Sequence, residues 1–322
     1  MKIKTLNSAI CASILLLALS GCSAGASVGA KSEAEPLKEV SVGIFPSKTF
    51  APLQLGIDKG IFAKHGLELS LESSQGGAAT LPAVATGSID VAIGNPVSVI
   101  TAASKGLDVK IIAGYSYDGP ALQDTILVAA LPNSGIVTAK NLAGRNVAVN
   151  SLKGAGELGI REAVERDGGD PEAVKFTEIG FPDMAAQLLN GGVDAVMLSQ
   201  PFLQDVMDAG GVIVSDFQKD AGLGGTILVT FSSGPFAAQN PAILKSFQTA
   251  LAESLEYAEA NPDEMRDLLP DFLGVDASTA KKIKFEGFSA KVNVEALTAY
   301  AQLMVKYGVS DTLPDVKATI LK

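Results

Sequence analysis

The sequence predicts an α/β chain built as two doubly wound lobes joined by a two-strand hinge. Three observations carry that prediction. Short apolar runs alternate with helical patterns, the alternation restarts part-way along the chain, and two short segments recur at matching places in the two halves. Alternation of this kind marks helices packed on a mainly parallel sheet.

In the first half Val40–Phe45, Leu67–Leu71, Ile89–Ile93 and Val109–Gly114 read as strands, with helical stretches at Phe50–His65, Gly77–Thr86 and Pro96–Lys105. The second half repeats the scheme: strands at Asn146–Asn150, Val174–Ile179, Val193–Leu198 and Val212–Val214, helices at Glu157–Arg166, Pro182–Leu189 and Pro201–Met207. From Pro241 the chain becomes helical, with Ile243, Leu244, Phe247, Leu251, Leu255 and Ala258 at helical spacing. Further helices are expected over Asp263–Phe272 and Val294–Tyr307.

Gly87-Ser88-Ile89-Asp90-Val91-Ala92-Ile93 is echoed by Gly191-Gly192-Val193-Asp194-Ala195-Val196-Met197. Each is followed by an amide side chain and a proline, Asn95-Pro96 and Gln200-Pro201, and proline suits the first turn of a helix. Thr125-Ile126-Leu127-Val128 recurs as Thr226-Ile227-Leu228-Val229, and these segments are the expected hinge. The domain reading is residues 1–21 as an export signal, 22–39 as a flexible tether, 40–125 with 230–322 as one lobe and 126–229 as the other.

The chain opens with Lys2 and Lys4, an apolar run Ile10–Leu19, then Leu19-Ser20-Gly21-Cys22. A positive start, a short apolar core and small residues have the form of a secretory signal. The core is too short for a bilayer, which needs about 20 apolar residues. Leu19-Ser20-Gly21-Cys22 resembles a bacterial lipobox, which implies that Cys22 becomes the first mature residue and carries a lipid. Export would remove Cys11, the other of the two cysteines, so the mature chain would hold by its core alone. With 47% hydrophobic residues over 322 positions it can. Loss of the two signal lysines leaves 23 basic against 35 acidic residues, a net charge of −12. An acidic chain without a basic patch excludes nucleic acid as the expected partner.

Gly43-Ile44-Phe45, Ala51-Pro52-Leu53, Lys59-Gly60-Ile61-Phe62-Ala63-Lys64-His65-Gly66-Leu67 and Ala85-Thr86-Gly87-Ser88-Ile89-Asp90-Val91-Ala92 resemble the opening of the sulfonate-, taurine- and nitrate-type periplasmic binding proteins. Asn141-Leu142-Ala143-Gly144-Arg145-Asn146-Val147-Ala148-Val149 resembles that family's passage into its second lobe. Gln200-Pro201-Phe202 stands where many members carry an aromatic or acidic residue before Pro-Phe. The resemblance covers roughly Val40 to Asn261. It implies a type II periplasmic-binding-protein fold, a solute cleft between the lobes, and an ABC importer's permease and ATPase as partners of a lipid-anchored, extracytoplasmic monomer. The absence of tryptophan departs from the many members that place one in the cleft.

In open α/β sheets ligands bind beyond the carboxyl ends of the strands, where helix N-termini favour anions. That rule selects Ser47, Lys48, Thr49, Gln75, Gly76 and Asn95 in the first lobe. In the second it selects Asn150, Ser151, Lys153, Phe181 and Gln200. Tyr115 is added as an aromatic wall, though it also reads as core. Each lobe's first strand leads into a loop with one serine and one lysine, so the preferred solute is a small organic anion, sulfonate- or carboxylate-like, held by Lys48 and Lys153. A pyrimidine or other neutral solute is the alternative. Ser47, Asn95, Asn150 and Ser151 also suit plain caps and turns.

Gly154-Ala155-Gly156-Glu157-Leu158-Gly159 matches the dinucleotide pattern G-x-G-x-x-G, with Glu178 downstream. An oxidoreductase is disfavoured because Ser151-Leu152-Lys153 separates the strand from the first glycine. The fungal pyrimidine synthases and some menaquinone-pathway enzymes resemble this fold, but the former carry a cysteine-rich motif absent here. His65, the only histidine, cannot build a metal cluster. The chain is therefore read as a binding protein without cofactor or metal. Cys22→Ser is expected to leave folding intact and release the protein from the membrane fraction. A variant that stays there, with no lipid mass on the wild type, would refute the anchor.

Overall fold

A computed structural model of the chain describes residues 36–118 and 126–322. The export signal, Cys22 and most of the tether lie outside the described residues, as does Thr125 of the expected hinge. Eleven strands are named in chain order: β1 Lys38–Ile44, β2 Leu67–Ser73, β3 Val91–Gly94, β4 Val109–Asp118, β5 Leu127–Ala130, β6 Asn146–Val149, β7 Lys175–Glu178, β8 Ala195–Leu198, β9 Val212–Ser215, β10 Gly225–Ser233 and β11 Gly287–Phe288. They form two sheets, ordered β11-β4-β10-β3-β1-β2 and β7-β6-β8-β5-β9.

Leaving β11 aside, the two orders are the same. In each, three parallel strands are followed by an antiparallel strand and then by one more antiparallel to that (β1 with β2 and β3, β6 with β7 and β8). The antiparallel strand is in each case the one that the chain delivers on arriving from the other lobe, β10 in the first sheet and β5 in the second. The two copies of Thr-Ile-Leu-Val thus lead into, or start, the same strand of two equivalent sheets. Thr226–Val229 lies wholly in β10, paired with β4 and β3, so the second crossing falls at residues 216–224 rather than at the second echo. The lobe boundary moves with it, from 229 to 224.

The other echo has an equally local cause. Asp90 Oδ2 accepts a hydrogen bond from the Ser41 backbone N at 2.9 Å, and Asp194 Oδ2 accepts one from the Asn146 backbone N at 2.7 Å. In both lobes the aspartate before the third strand pins the central strand beside it. A charge-assisted bond of this kind is stronger than a neutral one.

The expected helices are present at Pro96–Ser104, Ala155–Arg166, Phe181–Leu189, Phe202–Asp208, Pro241–Ala260, Pro262–Leu273 and Val294–Lys306. Asn95 caps the first of these, its Oδ1 accepting from the Ser98 N at 2.9 Å. Phe50–His65 breaks into Ala51–Asp58 and Ile61–Lys64, because Gly60 takes a left-handed conformation at φ 69°. His65 follows the second piece and bonds Glu253 at 2.8 Å.

The Gly-x-Gly-x-x-Gly run is explained by packing. Gly154 is the N-cap of helix Ala155–Arg166. A Cβ on Gly156 would lie 2.3 Å from the Met197 Sδ of β8, and one on Gly159 would lie 2.5 Å from the Phe217 ring. Glu178, the acid of the dinucleotide pattern, accepts the Leu152 backbone N–H instead. Gly156→Val is expected to cost about 1–3 kcal/mol by overpacking. A urea midpoint equal to wild type would refute this account of the glycines.

Candidate functional site

Residues at and beyond the strand ends of both sheets meet around a narrow central cavity of about 30 Å³. Its walls are Phe45 after β1, Asn95 after β3, Asn150 after β6, Phe181 after β7, and Met197 in β8, together with Phe217 and Gln218 from the second crossing. Ile126 and Ile227, equivalent positions of the echoed segment, also line it. The Phe45 and Phe181 rings come from opposite lobes and stack with centroids 5.1 Å apart and planes 30° apart. Phe50 supports Phe45 edge-on at 4.8 Å.

The polar side chains on this wall are the amides of Asn95, Asn150 and Gln218, of which Asn95 already spends its Oδ1 on the Ser98 N–H. Gln218 is buried and its Nε2 lies 3.5 Å from the Tyr300 hydroxyl, whose pKa burial pushes well up. Among the described residues no lysine or arginine lines the central cavity.

The sequence-predicted residues fall in different places. Asn95, Asn150 and Phe181 line the central cavity. Gln75, Ser151 and Lys153 line an adjoining crevice between the lobes, where Asn150 also reaches, and Lys153 is exposed. Gly76 meets the second lobe closely: a Cβ there would lie 3.2 Å from Asn150 Nδ2. Lys48 and Gln200 line a separate cavity of about 330 Å³.

The remaining residues are structural. Ser47 Oγ caps the turn Lys48–Phe50 and lies 3.4 Å from Ser199 Oγ of the other lobe. Thr49 accepts the Tyr115 hydroxyl at its carbonyl, 3.0 Å away. Tyr115 itself is fully buried beside Phe50 and Phe288, so it is core and not a wall of the cleft; desolvation drives its pKa up.

The paired-lysine arrangement does not form. The Lys48 side chain is 1% exposed, its Nζ 3.5 Å from Glu286 Oε2 and donating to the Lys284 carbonyl. Lys48 and Lys153 face different cavities. The N-terminus of helix Ala155–Arg166 is also occupied: Glu157 is buried there, accepting the Lys153 N–H at 2.8 Å and the Arg161 Nε–H at 3.1 Å. With an internal carboxylate already matching the helix dipole, a bound anion would meet like charge.

Phe45, Met197, Phe217 and Gln218 were not predicted. The apolar ones carry no distinguishing signal, since the same residue types fill strand ends in any core. Gln218 gave none either, lying in a segment without periodicity.

Residues 47–265 match the model of the family described as NMT1/THI5 like, spanning both lobes. The chain belongs to this family. A curated relative, the formylaminopyrimidine-binding protein of Halalkalibacterium halodurans, is 26% identical over 262 residues, 80% of this chain and 77% of its own. Among solved structures, the alkanesulfonate-binding protein SsuA of Xanthomonas axonopodis pv. citri, bound to MOPS, superposes with a TM-score of 0.75 at 16% identity, covering 89% of this chain and 99% of that one. The nitrate-binding protein NrtA of Synechocystis PCC 6803 gives 0.71 at 17% identity, covering 88% and 84%. The fold of this NMT1/THI5-like chain is that of the periplasmic binding proteins.

In this NMT1/THI5-like protein Lys48 therefore holds loop to lobe. Lys48→Met leaves Glu286 buried without its ion partner, and a loss of about 3–5 kcal/mol is expected. Adding Glu286→Gln should recover most of it. Equal urea midpoints for wild type and the single variant would refute the structural role.

Proposed function

We propose that this chain is the extracytoplasmic solute-binding component of an ABC importer, exported, lipid-anchored through Cys22 and working as a monomer, and that the part of the solute it recognises in the cleft is a neutral, planar heteroaromatic ring. The observation that carries this reading is the Phe45–Phe181 pair, one ring from each lobe, bordered by Asn95, Asn150 and Gln218 and by no cationic side chain among the described residues. Aromatic faces favour a flat ligand, and amides pair with the alternating donors and acceptors of a ring such as an aminopyrimidine. The family relative named for a formylaminopyrimidine supports the same class.

Inserting a ring between Phe45 and Phe181 needs two contacts of about 3.5 Å, a centroid separation of about 7 Å. At 5.1 Å the slot is shut, so the lobes must part to admit the solute and then settle on it. Closure follows only where the ligand prefers the closed state. A sulfonate in the same place would find no cation on the wall to offset its desolvation.

The test is calorimetric titration with an aminopyrimidine and with taurine. Micromolar or tighter binding of the aminopyrimidine is expected, weakened about tenfold or more by Phe181→Ala. Tighter binding of taurine would overturn the ring reading.

A further inference from the structure

The second crossing does not run free between the lobes. It is packed between helix Ala155–Arg166 of the second lobe and helix Val294–Lys306 of the first. On one side the Phe217 ring lies 2.5 Å from where a Cβ on Gly159 would stand, and Arg166 Nη1 lies 2.6 Å from where one on Gly222 would stand. On the other side Gln218 Nε2 donates to the Tyr300 hydroxyl at 3.5 Å. Gly225, where the crossing enters β10, abuts the same helix: a Cβ there would come within 2.7 Å of the Ala296 Cβ. Ala221, within the crossing, is 1% exposed.

The two helices are also tied directly to each other. Lys306 Nζ lies 2.6 Å from Glu162 Oε2 and 2.8 Å from Glu165 Oε2, and the Tyr307 hydroxyl donates to the same two carboxylates at 3.0 and 2.8 Å. Glu162 Oε1 takes the Arg166 Nε–H at 2.8 Å, so the carboxylate that joins the lobes also holds the side chain that meets the crossing at Gly222. Such charge-assisted bonds are the strong ones, and the Glu162 side chain is buried from screening ions.

The lobes meet more weakly where the loop after β1 faces the loop after β8. Ser47 Oγ is 3.4 Å from Ser199 Oγ, and the Lys48 backbone N–H reaches the Gln200 carbonyl at 3.5 Å. Both distances exceed the usual hydrogen-bond range, and neither contact pairs opposite charges. Gln200 Oε1 is buried there without a partner, beside the cavity of about 330 Å³.

We propose that helix Val294–Lys306 is a strap that makes the second crossing a fixed axis, and that the cleft parts at the Ser47–Ser199 edge, by which a solute enters. Lys306 and Tyr307 keep hold of Glu162 and Glu165 in the parted and the closed state alike, so the seam is an axle and not a latch. Rotation about a packed segment preserves the contacts beside it and opens those away from it. This rests on the reading of the chain as a solute-binding protein whose lobes part, and not on which solute it takes.

Thiol labelling located by peptide mass spectrometry tests this with no solute present. Ser199→Cys puts a thiol on the parting edge and Ala221→Cys puts one in the crossing; both positions are buried, so each reacts only when its surroundings open. The Ser199→Cys thiol is expected to react at least about tenfold faster, since openings within one fold differ widely in free energy. A carbodiimide then joins Lys306 to Glu162 or Glu165 as an amide, taking up the water that is lost. The joined protein is expected to keep the Ser199→Cys rate within about twofold. Equal rates at the two positions, or faster reaction in the crossing, overturn the fixed axis. Protection of the Ser199→Cys thiol by the amide means that the seam must break for the lobes to part, which overturns the strap. No amide at Lys306, while Lys64 is joined to Glu253 from 2.7 Å away, overturns the seam itself. An aminopyrimidine that fails to bind sinks the ring reading and leaves these outcomes unchanged.

Discussion

Each sheet of this protein is completed by a strand that arrives from the other lobe, and the cleft is a consequence of that exchange. β10 sits between β4 and β3, and its residues from Thr226 to Ser233 are all buried. β5 sits between β8 and β9 in the same way and is buried throughout. β4 and β3 therefore lack their common neighbour until the whole second lobe has been threaded. Pairings so far apart in sequence carry a high closure entropy and slow folding. The same exchange brings Ile126 and Ile227 onto the cavity wall.

The lobes also meet on one side through charge. Helix Val294–Lys306 belongs with the first sheet, yet Lys306 Nζ reaches Glu162 of the second lobe at 2.6 Å, and the Tyr307 hydroxyl donates to Glu162 at 3.0 Å and to Glu165 at 2.8 Å. Burial raises the Glu162 pKa, but hydrogen bonds from Lys306, Arg166 and Tyr307 outweigh it and the net shift is downward. A carboxylate whose folded pKa is depressed stabilises the folded state above its unfolded pKa and loses that contribution as pH falls through the lower folded value. At neutral pH this seam is fully charged and joined.

Electrostatics decide the chemistry of the cleft through what is already spent. Lys48 is consumed by Glu286, the helix N-terminus at Ala155 by Glu157, and the backbone donors of the loop after β6 by Glu178 and Glu157. Burying an ion away from water costs several kcal/mol unless it is paired, and these partners are internal. The central cavity is left with rings and amides.

Much of this was legible in the residues themselves. Apolar periodicity located the strands and helices, because 2.0- and 3.6-residue periods follow from backbone geometry alone. The repeated Gly-x-x-Asp runs and the Thr-Ile-Leu-Val pair revealed the duplication, because equivalent strands in equivalent sheets face equivalent demands. The strand-end rule found Asn95, Asn150 and Phe181, since parallel sheets aim those positions at one face. The direction and partner of a side chain, however, depend on residues remote in the chain. Lys48 could be seen as a strand-end cation, but only the fold brings Glu286 within 3.5 Å and removes its charge from the cleft. Phe45 and Phe181 are ordinary core residues in one dimension. They meet face to face because two lobes, joined by exchanged strands, bring their rings together.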